Sequence, residues 1–300
     1  MNNPALPQQS VEPARARPVR ARSLWADSLG RMARNPGAVA GMVLLALLVL
    51  AAIFAPQITR YDPAAITPRD RLLPPGAAHW FGTDAFGRDI FTRVVFGARV
   101  SLLIGIVSVL IATLLGVSMG LVAGYFGGLA DALVMRAVDV MLAFPGILLA
   151  LVIVAVLGPD LLNAMIAVGL SAAPTYARVT RGAVLQIKTS LFIDAAVVIG
   201  APTWRIILRH LLPNILGPIV VVTTLGVAGA IIAGASLSFL GLGARPPTPE
   251  WGLMLSEGRS FLRQAWWITT FPGLAIMVTV LSINLLGDGL RDALDPRMKK

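Results

Sequence analysis

The stretch VSLLIGIVSVLIATLLGVSMGLVAGYF, residues Val100–Phe126, carries no charged side chain over 27 consecutive positions. The hydrocarbon core of a bilayer is about 30 Å thick, and a helix of about 20 apolar residues crosses it. A soluble domain rarely needs so long an apolar run. The stretch therefore predicts a transmembrane helix.

The composition of the whole chain points the same way. Of its 300 residues 56% are hydrophobic and only 13% are charged, whereas soluble domains average about 25% charged residues. The net charge of +10 could suggest a nucleic-acid-binding protein, but the basic residues form clusters between apolar runs. The absence of cysteine excludes disulfides and thiolate metal sites.

Further uncharged runs predict five more spans. They are Ala38–Ala55, Val140–Pro159, Leu161–Ala177, Asn214–Gly243 and Gln264–Gly287. We therefore predict an all-α, polytopic membrane protein with six transmembrane helices. Residues 1–37 would be a tail, disordered over 1–22, with a surface helix over Ser23–Asn35. Residues 38–99 would contain the first span and a polar outer segment, 100–287 the main transmembrane domain, and 288–300 a second tail.

The Lys and Arg residues predict the orientation, because they are enriched on the cytoplasmic side of short loops. With the N-terminus inside, segments 1–37, 127–136, 178–213 and 288–300 hold 16 of the 25 basic residues. An even number of spans also returns the C-terminus to the cytoplasm. The polar segment 178–213 would then face the cytoplasm.

Within it lies FIDAAVVIGAPTWRIILRHLLPN, residues Phe192–Asn214. Gly200 and Pro202 interrupt the helical pattern, Thr203 can cap a second helix, and Pro213 is expected to separate that helix from the next span. The pattern predicts two short helices at an angle, suited to a groove on another protein. Helices lying in the lipid headgroup layer are the alternative.

This stretch resembles the EAA loop of bacterial ABC-importer permeases, which docks into the ATPase subunits. The resemblance consists of the triplet Asp194–Ala196, a glycine after three residues, and Leu212-Pro213 beyond the second helix. Asp194 replaces the family's Glu, and His210 replaces an aliphatic residue. The residues implied in ATPase coupling are Asp194, Ala195, Ala196, Gly200, Trp204, Arg205, His210, Leu212 and Pro213.

Four other stretches resemble the dipeptide/oligopeptide/nickel permease family, specifically its "C" type subunit. They are FGTDAFGRDIFTRVVFGARVSLL (81–103), GYFGGLADALVMRAVDVMLAFPGILLA (124–150), GASLSFLGLGARPPTPEWGLML (234–255) and FPGLAIMVTVLSINLLGDGLRDALDPR (271–297). The resemblance implies the fold of type I ABC importers in the bacterial inner membrane. It also implies a second permease subunit, two cytoplasmic ATPase subunits and a periplasmic substrate-binding protein as partners.

The chain lacks a phosphate-binding loop of its own. Lys188 precedes Thr189, but Ile187 stands where the second glycine of that motif is required. We therefore expect no cofactor and no enzymatic activity here, with ATP used by partner subunits. His79 and His210 fall on opposite sides of the membrane in this topology, so they are not expected to share a metal.

Charged residues near the spans suggest further sites. Arg136 and Asp139 are three residues apart on one helix and could form an ion pair or a gate. In the outer segment, Asp84, Arg88 and Asp89 are candidates for contact with a binding protein. Folding of this loop against the bundle is the alternative for them.

The expected cargo is a dipeptide or short peptide, with nickel chelates, glutathione and opines as alternatives that the family also includes. A stand-alone secondary transporter is a hypothesis of another class, but such proteins usually need intramembrane acids for ion coupling. An integral-membrane enzyme would need catalytic groups that the sequence does not offer.

Overall fold

The computed structural model describes residues 30–294, and the predicted disordered tail 1–22 lies outside them. Every regular element in this part of the chain is helical; Thr83 and Asp89 form an isolated bridge between extended segments. The main helices are α1 (Pro36–Ile53), α2 (Ile90–Phe126), α3 (Gly128–Leu142), α4 (Gly146–Leu157), α5 (Leu161–Lys188), α6 (Leu191–Val198), α7 (Leu212–Phe239), α8 (Trp251–Gly258) and α9 (Trp267–Leu294).

The first span begins where local capping chemistry places it. The Asn35 side chain accepts hydrogen bonds from the N–H groups of Gly37 and Ala38, and Pro36 occupies the first turn of α1. The surface helix predicted over Ser23–Asn35 lies mostly outside the described residues, although the chain is helical over 30–32.

Helix α2 begins ten residues before the uncharged run that predicted it. Its first residue is Ile90, capped by the Asp89 carboxylate, which accepts from the Thr92 N–H. Residues 90–99, predicted to belong to the polar outer segment, are therefore helical. Charged side chains in this part of the sequence suggested a loop, but they have partners in the folded protein. For example, the Arg93 guanidinium donates to the Glu257 carboxylate at 3.3 Å.

The predicted span Val140–Pro159 is not one continuous helix. Helices α3 and α4 meet at a bend of 95°, with the break between Leu142 and Gly146. Pro145 precedes α4 directly, and a proline cannot supply the N–H that would continue the helical ladder. The uncharged run is therefore divided between two helices of different direction.

Helices α2 and α5 form the closest packing in the bundle. Gly116, Gly120 and Gly124 repeat every four residues along one face of α2 and lie against α5. A Cβ added at Gly120 would stand 2.5 Å from the carbonyl oxygen of Ala177. Only glycine permits so close an approach of the two helices.

The prediction that Pro213 separates two helices is also wrong. A helical turn at Thr203–Arg205 continues through a π-helical turn, Ile206–Leu211, directly into α7. In this turn the Leu212 N–H bonds to the Ile207 carbonyl, five residues back. The wider turn changes the hydrogen-bonding register just before Pro213, whose missing N–H falls in the first turn of α7.

Four helical segments are long and apolar enough to cross a bilayer: Pro36–Ile53, Ile90–Phe126, Thr203–Phe239 and Trp267–Leu294. The bent pair α3–α4 would be a fifth if it forms one span. Helix α5 is the sixth candidate, but its second half carries Arg178, Arg181 and Lys188. The count of six stays a prediction.

Candidate functional site

The segment between α5 and α7 folds back on itself as a helical hairpin, Leu191–Leu211. Its reversal depends on Gly200, whose φ is +76°, a value that side-chain-bearing residues rarely adopt. The Ala201 N–H then bonds to the Ala196 carbonyl at 3.0 Å, which closes the end of α6. The glycine signal in the sequence therefore locates the turn correctly.

One face of the hairpin is anchored to the bundle. Ile193 and Ala196 are buried, and they belong to an apolar cluster with Val184 of α5 and Ile215 of α7. On the same side, the Lys188 ammonium donates to the Tyr125 carbonyl at 2.6 Å. Any displacement of the hairpin must therefore move the ends of α5 and α7.

The opposite face of the hairpin is apolar and exposed. Leu191, Val198 and Ile199 are each more than 80% exposed, and Trp204 is 61% exposed. The Arg205 guanidinium lies 5.5 Å from the Trp204 ring centroid. Exposed large apolar side chains with a basic group beside them are typical of a protein or membrane contact surface.

All nine residues predicted for this site lie in the hairpin or at its junction with α7. Asp194 is exposed in the first turn of α6, where the helix dipole favours an acidic group. Ala196 points into the bundle, while His210 and Leu212 are half-buried. The exposed members are Asp194, Ala195, Gly200, Trp204, Arg205 and Pro213.

A cavity of about 400 Å³ opens between α2, α4, α5 and α7. Hydroxyl groups of Ser108, Ser171, Thr175 and Tyr176 contribute to its wall, and its lining residues carry no charged side chain. On α7 the wall includes several small residues, among them Gly229. Sequence reasoning missed this cavity; clustered hydroxyls within spans were the available signal.

Buried ion pairs fix the outer segment to the bundle. The Arg88 guanidinium donates to Asp84 at 2.6 Å and to Glu257 at 2.7 Å, and His79 lies 2.9 Å from Asp89. Asp84, Arg88 and Asp89 are each at most 5% exposed. The prediction that these side chains contact a binding protein is therefore wrong in this structure, and they serve to fold the loop.

Glu250 is a further buried acid that sequence reasoning missed. It caps α8 by accepting from the N–H groups of Gly252 and Leu253 at 2.9 and 2.7 Å. Burial raises the pKa of its carboxyl above the usual range, although these N–H groups oppose the shift. Its place at the cap indicates a structural role.

The predicted ion pair between Arg136 and Asp139 is wrong. Asp139 instead accepts from Arg178 on α5 at 2.7 Å. A second pair joins the same two helices, in which both Asp131 oxygens accept from Arg181 at 2.6 Å. Spacing along α3 could not reveal a partner 39 residues away.

Across residues 30–294, no group of three or more His, Asp or Glu side chains is placed to hold a metal ion. His79 is engaged with Asp89, and His210 lies in the hairpin.

Comparisons with known proteins identify the family of this chain and agree with its fold. Residues 112–300 match the family of binding-protein-dependent transport system inner membrane components. Residues 23–75 match the N-terminal transmembrane domain of oligopeptide transport permease C.

Curated relatives align over nearly the full chain. The dipeptide transport system permease protein DppC of Alkalihalophilus pseudofirmus is 50% identical, over 92% of this chain and 91% of that protein. The glutathione transport system permease protein GsiD of Pectobacterium atrosepticum is 47% identical, over 93% of each.

A solved structure of the MetNI methionine ABC transporter, in an inward-facing conformation, superposes with a TM-score of 0.56. The match covers 69% of this chain and 98% of that one, at 22% identity. At this identity the likeness shows the fold, which is that of a type I ABC importer permease.

Proposed function

Since this chain belongs to the family of binding-protein-dependent transport system inner membrane components, as a permease of the oligopeptide C type, we propose that it forms half of the pathway through which an ABC importer moves dipeptides or short peptides. The observation that carries this proposal is the position of the cavity. Two of its four walls are α5 and α7, the helices whose ends hold the exposed hairpin.

The cargo class rests on the relatives. A dipeptide permease and a glutathione permease are similarly close to this chain, and glutathione is itself a short peptide. The uncharged wall suits passage of such molecules, because it holds no fixed charge that would trap one end. No comparable observation favours nickel chelates or opines.

The partners follow from the hairpin and the family. We propose that the exposed face around Trp204 docks into an ATPase subunit, with a second permease completing the pathway and a periplasmic protein delivering cargo. ATP is then used by the ATPase subunits, because this sequence has no phosphate-binding loop. A secondary transporter is disfavoured, since no acidic side chain lines the cavity.

A bulky residue in the cavity should block transport. Gly229 lines the cavity, and no atom lies within 4 Å of the position its Cβ would take. We expect Gly229→Trp to fill the space. When this variant is expressed in a strain from which the permease gene has been deleted, uptake of labelled dialanine should be abolished. Gly229→Ala adds only a methyl group and should leave uptake close to wild type. Undiminished uptake with the Trp variant would exclude this cavity as the pathway.

We further propose that both termini and the hairpin face the cytoplasm, on the basis of the Lys and Arg distribution. Alkaline phosphatase folds only outside the cytoplasm, so a fusion after Ser190 should be inactive. A fusion after Gly76, in the outer segment, should be active. The reverse pattern would show that the orientation is inverted.

A further inference from the structure

Helix α3 is a short link with a joint at each end. At its start, Gly127 and Gly128 have φ values of +64° and +52°, with no atom within 4 Å of a Cβ at either position. At its end, the chain turns through 95° into α4. No neighbouring side chain packs against Gly127 or Gly128. The orientation of α3 must therefore be set by contacts along its length.

Two ion pairs help to set this orientation, together with the packing of the buried Val138 side chain. Asp131 binds Arg181 through both carboxylate oxygens, and Asp139 binds Arg178. The two acids lie two helical turns apart, so they fix α3 at two points. Within the described part of the chain, these are the salt bridges that α3 makes.

These pairs differ in kind from the contact between α2 and α5. That contact is built on glycines that bring the two backbones close together, as a permanent junction requires. The side chains of Asp139 and Arg178 are more than half exposed, and those of Asp131 and Arg181 are partly exposed. Ion pairs in contact with water are individually weak and exchange readily, which suits a contact that re-forms in each transport cycle.

The link connects the two parts of the proposed site. Helix α5 carries Thr175 and Tyr176 at the cavity, then Arg178 and Arg181, and it ends beside the hairpin. Beyond α3, the bend leads directly to Gly146 and Ile147, which line the opposite part of the cavity. A shift of α5 can therefore reach both walls, the second one through α3.

We propose that Asp131, Asp139, Arg178 and Arg181 are positioning residues that dock α3 on α5 and thereby transmit movement of the hairpin to the α4 wall of the cavity. This inference rests on the proposed function, because it assigns these residues a part in coupling ATP use to transport. Arg136, on the same helix, has no part in the docking.

The docking of α3 on α5 can be measured with spin labels attached to introduced cysteines. Because the chain has no cysteine of its own, only the chosen positions of this chain would be labelled. We would place spin labels at Ala137 on α3 and Gln186 on α5, both exposed, in the purified assembled transporter. The double variant Asp131→Asn/Asp139→Asn should broaden or shift the distance distribution between the labels. It should also lower the amount of labelled dialanine moved per ATP by about tenfold, equivalent to losing two modest charge contacts.

Arg136→Gln removes a charge from the same helix and should change neither measurement. The exchange Asp131→Arg/Arg181→Asp, which restores one pair in reverse, should recover transport relative to Asp131→Arg alone. If the double variant is poorly inserted, Asp139→Asn, at the more exposed pair, replaces it.

An unchanged distance distribution, or a normal ratio of transport to ATP use, would overturn the proposal. The proposal would also be overturned if the exchange Asp131→Arg/Arg181→Asp failed to recover transport relative to Asp131→Arg alone. The distance measurement does not depend on the cargo. Absence of dialanine transport in the wild type would therefore count against the proposed function alone.

Discussion

Replacing Gly120 with leucine is expected to separate α2 from α5 and to remove the folded protein from the membrane. A Cβ at this position would lie 2.5 Å from the Ala177 carbonyl oxygen, 2.6 Å from the Thr180 Cβ and 2.9 Å from the Arg181 nitrogen. Two of these atoms belong to the backbone and cannot rotate away. Overpacking typically costs 1–3 kcal/mol, and we expect about 3 kcal/mol or more here because a whole helix must move.

The matched control is Gly182→Leu on α5. No atom lies within 4 Å of its Cβ position. Leucine also stabilises a helix relative to glycine by about 1 kcal/mol. The unfolding temperatures of both purified variants and of the wild type should be measured in the same mild detergent and compared. Equal unfolding temperatures for Gly120→Leu and wild type would contradict the close packing of α2 and α5.

Gly200→Glu is expected to abolish peptide uptake while the chain still inserts and folds. Glutamate at a φ of +76° costs about 1–2 kcal/mol, which is small beside the roughly 5–15 kcal/mol that keeps proteins folded. No atom of this chain lies within 4 Å of the added Cβ. The new side chain would therefore project from the hairpin's turn into the proposed ATPase contact.

Gly200→Glu could lower uptake through backbone strain or through its projecting, charged side chain. Gly200→Asn separates these two causes, because asparagine tolerates this backbone conformation and is shorter and uncharged. It should retain much of the uptake. Arg205→Ala should have a milder effect than Gly200→Glu, since an exposed charge at a protein rim is worth under about 1 kcal/mol. Membrane insertion, copurification of ATPase subunits and uptake should be measured in one strain. Normal uptake with Gly200→Glu would contradict a coupling role for this position.

Several features could be predicted from the sequence because their causes are local. An uncharged run long enough to cross a bilayer predicts a helix wherever it occurs. Helix α2 contains the whole run that predicted it, and α1 and α9 contain most of theirs. Likewise Gly200 locates the hairpin turn through its own backbone preference. The nine residues assigned to the hairpin lie together for the same reason, since they are close in sequence.

Other features depended on contacts between distant parts of the chain. Asp139 binds Arg178, not its helical neighbour Arg136, because α5 passes beside α3 only in the folded bundle. Asp84 and Arg88 form a buried network with Glu257, which lies far along the chain. Sequence spacing measures distance along one helix, so it cannot identify such partners.

The sequence by itself thus determined that the chain is a helical membrane protein with one interrupted, exposed hairpin. Only the tertiary structure decided the 95° bend between α3 and α4, the cavity, and the ion pairs that join α3 to α5. The physical reason is the range of the interactions. Apolar length and backbone preference act within a segment, whereas burial and charge pairing exist only once separate helices have packed together.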